Sequence, residues 1–491
     1  MAAHQNLRLW EKLGIDLSPL VPEVYKEYLP VIEDAFTFFL DRLSLKRVAE
    51  VLAGQLNLPQ DASMPERLVT LLGQFPTLQK LAQIMARDRR LAPPLRRRLQ
   101  LLESMEAVTP LSNIKSIIQN ELGHRIASRL QFAARALAEA SVAVVVPFYV
   151  PEQKAAEPIE GVLKVLKPGI AERLEEELEI WSALAPYLDD RCAHYRLPSF
   201  NYADTLEAVK DLLANEVRLD QEQAHLAAAA KLYAGCEYVQ VPSLLPFCTR
   251  HITAMERISG TKVTETDHLP DEVRQKLANS IIESLIAQPV WSADFTALFH
   301  ADPHAGNLFL TENGRLAILD WSLVGRLGKA ERVHTMQIIL GALTLDAPRI
   351  ARALTALARA TPNESAVREV VDKAVGTLYW SRPPGFRWLL DLIDAALVTA
   401  DLRLSPDLIL FRKSLLTLEG VVADISAHSS IDHVLPRLAL RQFSREWNSR
   451  PLALPTSRHF GTHLSNLDLF SLYGSLPISA VKFWMNRLAT G

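Results

Sequence analysis

The stretch Phe299-His-Ala-Asp302-Pro-His-Ala-Gly-Asn307-Leu-Phe-Leu-Thr-Glu-Asn-Gly314-Arg-Leu-Ala-Ile-Leu-Asp320-Trp-Ser-Leu-Val-Gly-Arg326 decides how the rest of the chain is read. Two short apolar runs, residues 308–311 and 316–319, flank Asn313-Gly314, the dipeptide favoured by a two-residue type I′ hairpin turn. Such a turn predicts Glu312 opposite Arg315, Leu310 opposite Ala317 and Leu308 opposite Leu319. One step further it sets Asn307 opposite Asp320. Cross-strand partners lie roughly 5 Å apart at Cβ, so an amide oxygen and a carboxylate are predicted to converge. Asp302 stands five residues before Asn307, on the loop leading in. Two carboxylates and an amide oxygen make a hard-oxygen set suited to Mg²⁺.

Alone, His300-x-Asp302-x-His304 fits a polar loop or a metal-binding alternation equally well. An aspartate and an asparagine at this spacing, followed by a hairpin and a second aspartate, also form the layout of a kinase catalytic loop and its metal aspartate. The combined pattern favours phosphate–metal chemistry over both simpler readings.

At 491 residues and 49% apolar composition, the chain has length for two to three domains and residues for a sizeable core. A net charge of −3 argues against a nucleic-acid partner. Cys192, Cys236 and Cys248 are too few and too scattered for a disulfide framework or a zinc knuckle, which fits a reducing compartment. Charge-free runs reach only thirteen residues (333–345 and 469–481), short of the ~18–20 that span a bilayer. The N-terminus lacks a signal-peptide pattern. A cytoplasmic protein, with peripheral membrane contact left open, is the expectation.

Residues 5–135 carry apolar residues at helical spacing. From residue 140 the character changes: 142–150 and 161–166 read as strands, 171–188 and 205–232 as helices, 238–241 and 251–256 as strands. After Arg257 the pattern is helical except for the hairpin, with helices at 338–345, 350–358, 366–378 and 408–422. Proline interrupts the tail, which ends with Ile478, Val481, Met485 and Leu488 on one helical face beside Lys482 and Arg487. Such a face lies on a membrane surface or docks on the protein's own core. The predicted domains are a helical extension (1–135), a small β-rich lobe with one long helix (136–258), a larger helical lobe (259–440) and a tail (441–491).

A phosphate-transfer site needs a cation for the nucleotide and an acid to hold that cation. Lys164, between apolar neighbours in a predicted strand, and Glu222, in the predicted helix 205–232, are the candidates. An edge-strand lysine and a solvated glutamate are the simpler alternative. No Gly-x-Gly-x-x-Gly, Walker, Gly-x-Ser-x-Gly or His-Glu-x-x-His motif occurs. Ala138-Glu139-Ala140-Ser141-Val142-Ala143 offers small side chains where backbone N–H groups could approach phosphates. Arg87, Arg89, Arg90, Arg96, Arg97 and Arg98 form the densest basic cluster, a solvated helix end or a patch for anionic lipid.

In order along the chain these motifs resemble the UbiB/ADCK (aarF-domain) atypical kinase family. The segment Pro76-Thr-Leu-Gln-Lys80-Leu-Ala82-Gln83 is similar to its Lys-x-Gly-Gln signature, and 138–143 to its alanine-rich nucleotide loop. Lys164-Val-Leu-Lys-Pro-Gly-Ile170 is similar to its lysine strand and the turn that follows. Glu216-Val-Arg218-Leu-Asp-Gln-Glu222 resembles its Glu-x-Asp signature and αC glutamate, and Leu415-Leu-Thr-Leu-Glu-Gly420 a late helix. The resemblance implies an α+β, predominantly helical, bilobal protein-kinase-like fold whose N-terminal helical extension covers the active site. It implies ATP and Mg²⁺ as cofactors, and lipid-stimulated ATPase activity in support of isoprenoid quinone (ubiquinone) biosynthesis. A lipid-like small molecule and biosynthetic enzymes are the implied partners.

By position, the resemblance has Lys164 hold the α/β-phosphates with Glu222 as its partner, and Asn307 and Asp320 hold Mg²⁺. Asp302 orients or deprotonates the attacking group. Met255, Glu256 and Arg257 face the adenine, while Ala138, Ala140, Ser141 and Ala143 line the nucleotide. Lys80, Gln83 and Glu216 belong to the gating extension. Several positions depart from the family pattern: Ala82 for glycine, Arg218 for aspartate, Val162 for alanine and Ser322 for glycine. Glu139 stands in the alanine loop, Val144 and Val146 replace Gln and His, and His304-Ala-Gly-Asn lacks its usual proline. They predict a divergent member with altered nucleotide binding. The competing readings are a pseudokinase scaffold without turnover and a small-molecule phosphotransferase.

Overall fold

The computed structural model describes residues 15–85, 109–139, 142–151, 158–198, 217–378 and 384–490, with single positions 99, 202, 206, 210 and 214 between them. The chain divides into two compact units. One comprises Met1–Ala224 with Ser243–Arg257, the other His225–Pro242 with Ile258–Gly491.

In the first unit, helices Leu29–Leu40, Leu45–Leu56, Met64–Leu72 and Pro76–Met85 pack with the long helix Ile170–Tyr195. Phe39, Leu68, Leu71, Phe75 and Trp181 are almost fully buried in their shared core. One ion pair is buried among them. Arg47 Nη2 donates to Glu177 Oε1 at 2.8 Å, and the other carboxylate oxygen accepts from the Thr77 N–H (3.0 Å) and Thr77 Oγ1 (2.7 Å). Thr77 is in the first turn of Pro76–Met85, so Glu177 supplies from another helix the acceptor that a capping side chain would normally provide.

The same unit holds a five-stranded antiparallel sheet centred on Ala143–Val150, Ile159–Leu166 and Ile252–Glu256. The two-residue side-chain period sends Leu163 and Val165 into a core with Val144, Val146, Phe148 and Ile114, and Lys164 to the opposite face. Ala143, expected to line the nucleotide, is a fully buried strand residue in a small core with Val142, Leu166, Ile170 and Leu219. Strand pairing with Leu166 puts it there.

In the second unit the hairpin forms with a different turn. Gly314 alone takes a left-handed φ of 73°; Asn313 does not, so a type I′ turn is excluded. Thr311 N–H donates to Arg315 O and Gly314 N–H to Thr311 O, both at 2.9 Å, closing a loop of three residues, Glu312 to Gly314. The register therefore slips by one: Leu316 pairs with Leu310, Ala317 with Phe309 and Ile318 with Leu308. Asn307 meets Leu319 through its carbonyl (2.8 Å), and direct opposition of Asn307 to Asp320 is overturned.

Strands Gly260–Lys262, Thr296–His300 and Val324–Gly328 were also not expected in a segment read as helical. The last two pair antiparallel and bracket the hairpin, setting His300 opposite Val324. Helices Lys329–Thr344, Ala347–Leu357, Glu364–Gly376 and Pro406–Ile425 follow the apolar spacing, while Phe386–Thr399 and Ile431–Glu446 went unread. The end of the proline-marked tail becomes one helix, Asn466–Thr490, running through Pro477, while Pro451 lies in a short turn, Arg450–Leu452. Phe483 docks inward, whereas Ile478, Val481 and Met485 are 61%, 57% and 57% exposed, so that face does not pack on the core. Among the described residues no helix is long and apolar enough to cross a membrane. The arginine cluster 87–98 lies outside the described residues.

Candidate functional site

In the first unit, Lys164 is only 11% exposed at its side chain and its Nζ donates to both oxygens of Glu222, at 2.8 and 2.9 Å. Glu222, 4% exposed, comes from helix Leu219–Tyr233. An ammonium in an apolar strand needs a partner once removed from water, and this carboxylate provides one. The adjacent Gln223 amide donates to Thr249 O (2.8 Å) and Ile252 O (3.0 Å), anchoring the helix to the sheet and fixing where Glu222 stands.

Val162, buried at 7%, is opposite Met255 in the register. The Glu256 N–H donates to Ser243 O at 2.9 Å, and Arg257 Nη1 pairs with Glu160 at 2.8 Å. Ala138 pairs in a short strand with Val145. Ala140, Ser141 and Glu216 lie outside the described residues, as does the Gln83 side chain. Lys80 is partly exposed on helix Pro76–Met85, and the Ala82 methyl is buried in the helical core.

In the second unit the loop carrying Asp302 and Asn307 is tied to the segment before Asp320 through His300. This imidazole is buried; its Nδ1 accepts the Asp302 N–H (3.2 Å) and its Nε2 lies 3.0 Å from Leu319 O, so the Nε2–H tautomer satisfies both. Burial holds its pKa below the ordinary histidine value, keeping the ring neutral, against the opposing pull of the Leu319 carbonyl. It stacks edge-on against Trp321, 4.8 Å between centroids, whose Nε1–H donates to Ile318 O. His225 Nδ1 lies 3.2 Å from Trp321 O, and burial likewise lowers its pKa.

Asn307 donates its amide N–H₂ to Asp302 O (3.1 Å), which assigns the amide oxygen to any cation. A Cβ at residue 306 would come within 2.9 Å of the His304 ring, so glycine lets that ring close over the 306 N–H. Asp320 holds a left-handed φ of 49° and accepts the Ser322 N–H at 3.1 Å, so an Asx turn, not strand opposition, sets its position. Ser322 contributes through its backbone, which lets serine stand where glycine was expected. Among the described residues no cluster of three or more His, Cys, Asp or Glu side chains could hold a metal. An amide oxygen and a carboxylate are hard oxygen donors of the kind that Mg²⁺ takes alongside phosphate and water.

A family model, the ABC1 atypical kinase-like domain, matches residues 101–354, just over half of the chain. The protein belongs to the ABC1 atypical kinase-like family.

Among relatives, a chloroplastic protein of Arabidopsis thaliana described as an uncharacterized aarF domain-containing protein kinase is 29% identical, over 55% of this chain and 49% of its own length. A "probable protein kinase UbiB" of Aliivibrio fischeri is 26% identical over 77% of this chain and 70% of that one. Its counterpart from Haemophilus ducreyi is 26% identical over 70% and 65%. The chain thus spans about half of the plant relative. A solved Mycobacterium tuberculosis structure, described as the complex of Rv3197 with erythromycin, superposes with a TM-score of 0.51 at 18% identity, covering 77% of this chain and 94% of that one. The fold of this ABC1-family protein is accordingly α+β, predominantly helical and kinase-like.

Glu139, which departs from the alanine-rich pattern, is buried and has partners. Lys167 Nζ stands 2.8 Å from its Oε1, and Thr109 donates through N–H and Oγ1, both at 2.9 Å. Burial would raise this carboxyl, but Lys167 and Thr109 outweigh burial and hold its pKa below the usual glutamate range. A depressed folded pKa stabilises above the unfolded value of about 4.3 and loses that contribution as pH falls through the folded one. The melting-temperature gap between wild type and Glu139→Gln should therefore be constant from about pH 6 to 8 and shrink below about pH 4. A gap that widens in acid would contradict the pairing.

Proposed function

We propose that this protein is an ATP-dependent atypical kinase or ATPase of the UbiB type, acting with Mg²⁺ in support of a lipid-like small molecule of the isoprenoid quinone class. The observation that carries this reading is the Lys164–Glu222 pair, a nearly buried ammonium held by both carboxylate oxygens. A solvated edge lysine would have neither the burial nor the partner.

In this reading Lys164 holds the α/β-phosphates and Glu222 keeps its ammonium aimed. Asn307 and Asp320 hold Mg²⁺, which when bound neutralises charge on the phosphate oxygens. Asp302 orients the attacking O–H and takes its proton as the new O–P bond forms. The bond from the γ-phosphorus to its bridging oxygen breaks, and the electron pair leaves on ADP. Met255 to Arg257 and the 138–141 segment serve the adenine and phosphates, and Lys80, Gln83 and Glu216 restrict access. The exposed Ile478, Val481 and Met485 beside exposed Lys482 offer a surface for an anionic bilayer.

A second reading, a scaffold that binds without turnover, is favoured by one observation: the Glu256 N–H, in the adenine-facing segment, is already engaged by Ser243 O. Thermal denaturation separates the two. Mg-ATP at a hundredfold excess over Kd should stabilise an ATP-binding enzyme by about 2.7 kcal/mol, with less effect when EDTA removes the metal. Anionic vesicles should raise phosphate release. No nucleotide-dependent shift would favour the scaffold.

A further inference from the structure

The helix Pro406–Ile425 is pinned against strands Thr296–His300 and Val324–Gly328 and the Asp302 loop by four contacts within the second unit. Asp407 Oδ1 accepts the Arg326 N–H at 3.0 Å, and Phe411 packs edge-on against Phe299 with centroids 4.9 Å apart. Ser414, 1% exposed, donates its hydroxyl to His300 O at 3.0 Å. One residue earlier, Lys413 Nζ reaches Asp302 Oδ1 at 3.2 Å. The other oxygen, Oδ2, faces His304 Nε2 at 3.8 Å, and His304 Nδ1 accepts the Gly306 N–H at 3.0 Å, which assigns the neutral ring's proton to Nε2. Both carboxylate oxygens thus meet a nitrogen donor group, one from the loop itself and one from a helix 111 residues further on.

We propose that Lys413 is a positioning residue for phosphoryl transfer, holding the Asp302 carboxylate in the orientation from which it meets the attacking hydroxyl. The inference rests on the ATP-dependent reading above. Lys413 forms and breaks no covalent bond; its role is to fix the rotamer of Asp302. Asp407, Phe411 and Ser414 already register this helix, and a lysine with 45% of its side chain exposed adds little to stability through one ion pair, so the contact to Asp302 is not needed to hold the fold. Orientation, in contrast, is sensitive to small displacements of a reacting group.

The test is steady-state ATP hydrolysis by the full chain in four forms: wild type, Lys413→Met, Lys413→Arg and Asp320→Asn. Lys413→Met should lower kcat by about 10- to 100-fold with KM for ATP within about twofold. Its melting temperature and Mg-ATP-induced shift should match wild type, and Lys413→Arg should recover much of the lost kcat. Wild-type turnover above Asp320→Asn, with Lys413→Met equal to wild type, overturns the positioning role and leaves the ATP reading standing. A rise in KM with kcat unchanged also overturns it, because that pattern marks a binding residue. Wild-type turnover no greater than Asp320→Asn overturns both.

Discussion

Asp320→Asn should reduce Mg-ATP turnover by at least about 10²- to 10³-fold while leaving the fold in place. The substitution keeps the side-chain shape and an oxygen able to accept the Ser322 N–H, so the Asx turn at φ 49° persists. Asparagine is also among the residues that tolerate a left-handed backbone. What it loses is the negative charge on which the proposed Mg²⁺ site depends. Hard cations are held largely by charge, and among the described residues no cluster of acids stands ready to replace it. Phosphate release measured across Mg²⁺ concentrations checks this. The variant should show a weaker Mg²⁺ dependence and a smaller Mg-ATP thermal shift, with its nucleotide-free melting temperature little changed. Turnover equal to wild type would remove Asp320 as a metal ligand and leave the hairpin a structural element.

The largest stability loss is expected from Glu177→Ala. The carboxylate is fully buried and joins Arg47 to the N-terminus of the helix carrying Lys80. Its removal leaves the buried Arg47 guanidinium with only the partly exposed Glu50 (3.2 Å), the Gln74 carbonyl and a distant Glu176, and with Nε lacking any hydrogen bond. Breaking a buried pair from one side costs about 3–5 kcal/mol, and the lost bonds to Thr77 add to that. The double variant Arg47→Met/Glu177→Leu should recover most of the loss, because apolar residues of similar size need no partner. Urea denaturation of both variants gives the comparison. A loss below about 1 kcal/mol for Glu177→Ala would show that the helices hold without the pair.

The fold was legible wherever one residue pattern decides locally. Val and Ile between turn residues marked the strands around Lys164, and spaced leucines marked most helices of the second unit. Strands Thr296–His300 and Val324–Gly328 escaped because each is five residues long and adjoins loop motifs, leaving too little alternation to separate strand from loop. The hairpin was found but misregistered. Asn-Gly suits both a two-residue turn and a three-residue loop with Gly314 left-handed, and the difference is only the φ of Asn313. Because side chains alternate across a strand, that one dihedral changes which residues face each other along the whole hairpin.

The order of residue types along the chain was sufficient for the family, and it named the residues that the proposed chemistry would use: a lysine strand, a helix glutamate, then aspartate, asparagine and aspartate around a turn. Short spacings carry such information because the geometry of a strand or turn converts them directly into position. The tertiary structure alone decided the partners of those residues. Lys413 reaches Asp302, Glu177 reaches Arg47 and Thr77, and Lys167 with Thr109 neutralises Glu139. These contacts join residues from separate elements, and all but Lys167–Glu139 span 30 residues or more. No local periodicity encodes them; they arise only when packing of apolar faces brings distant elements together and buried charges require partners.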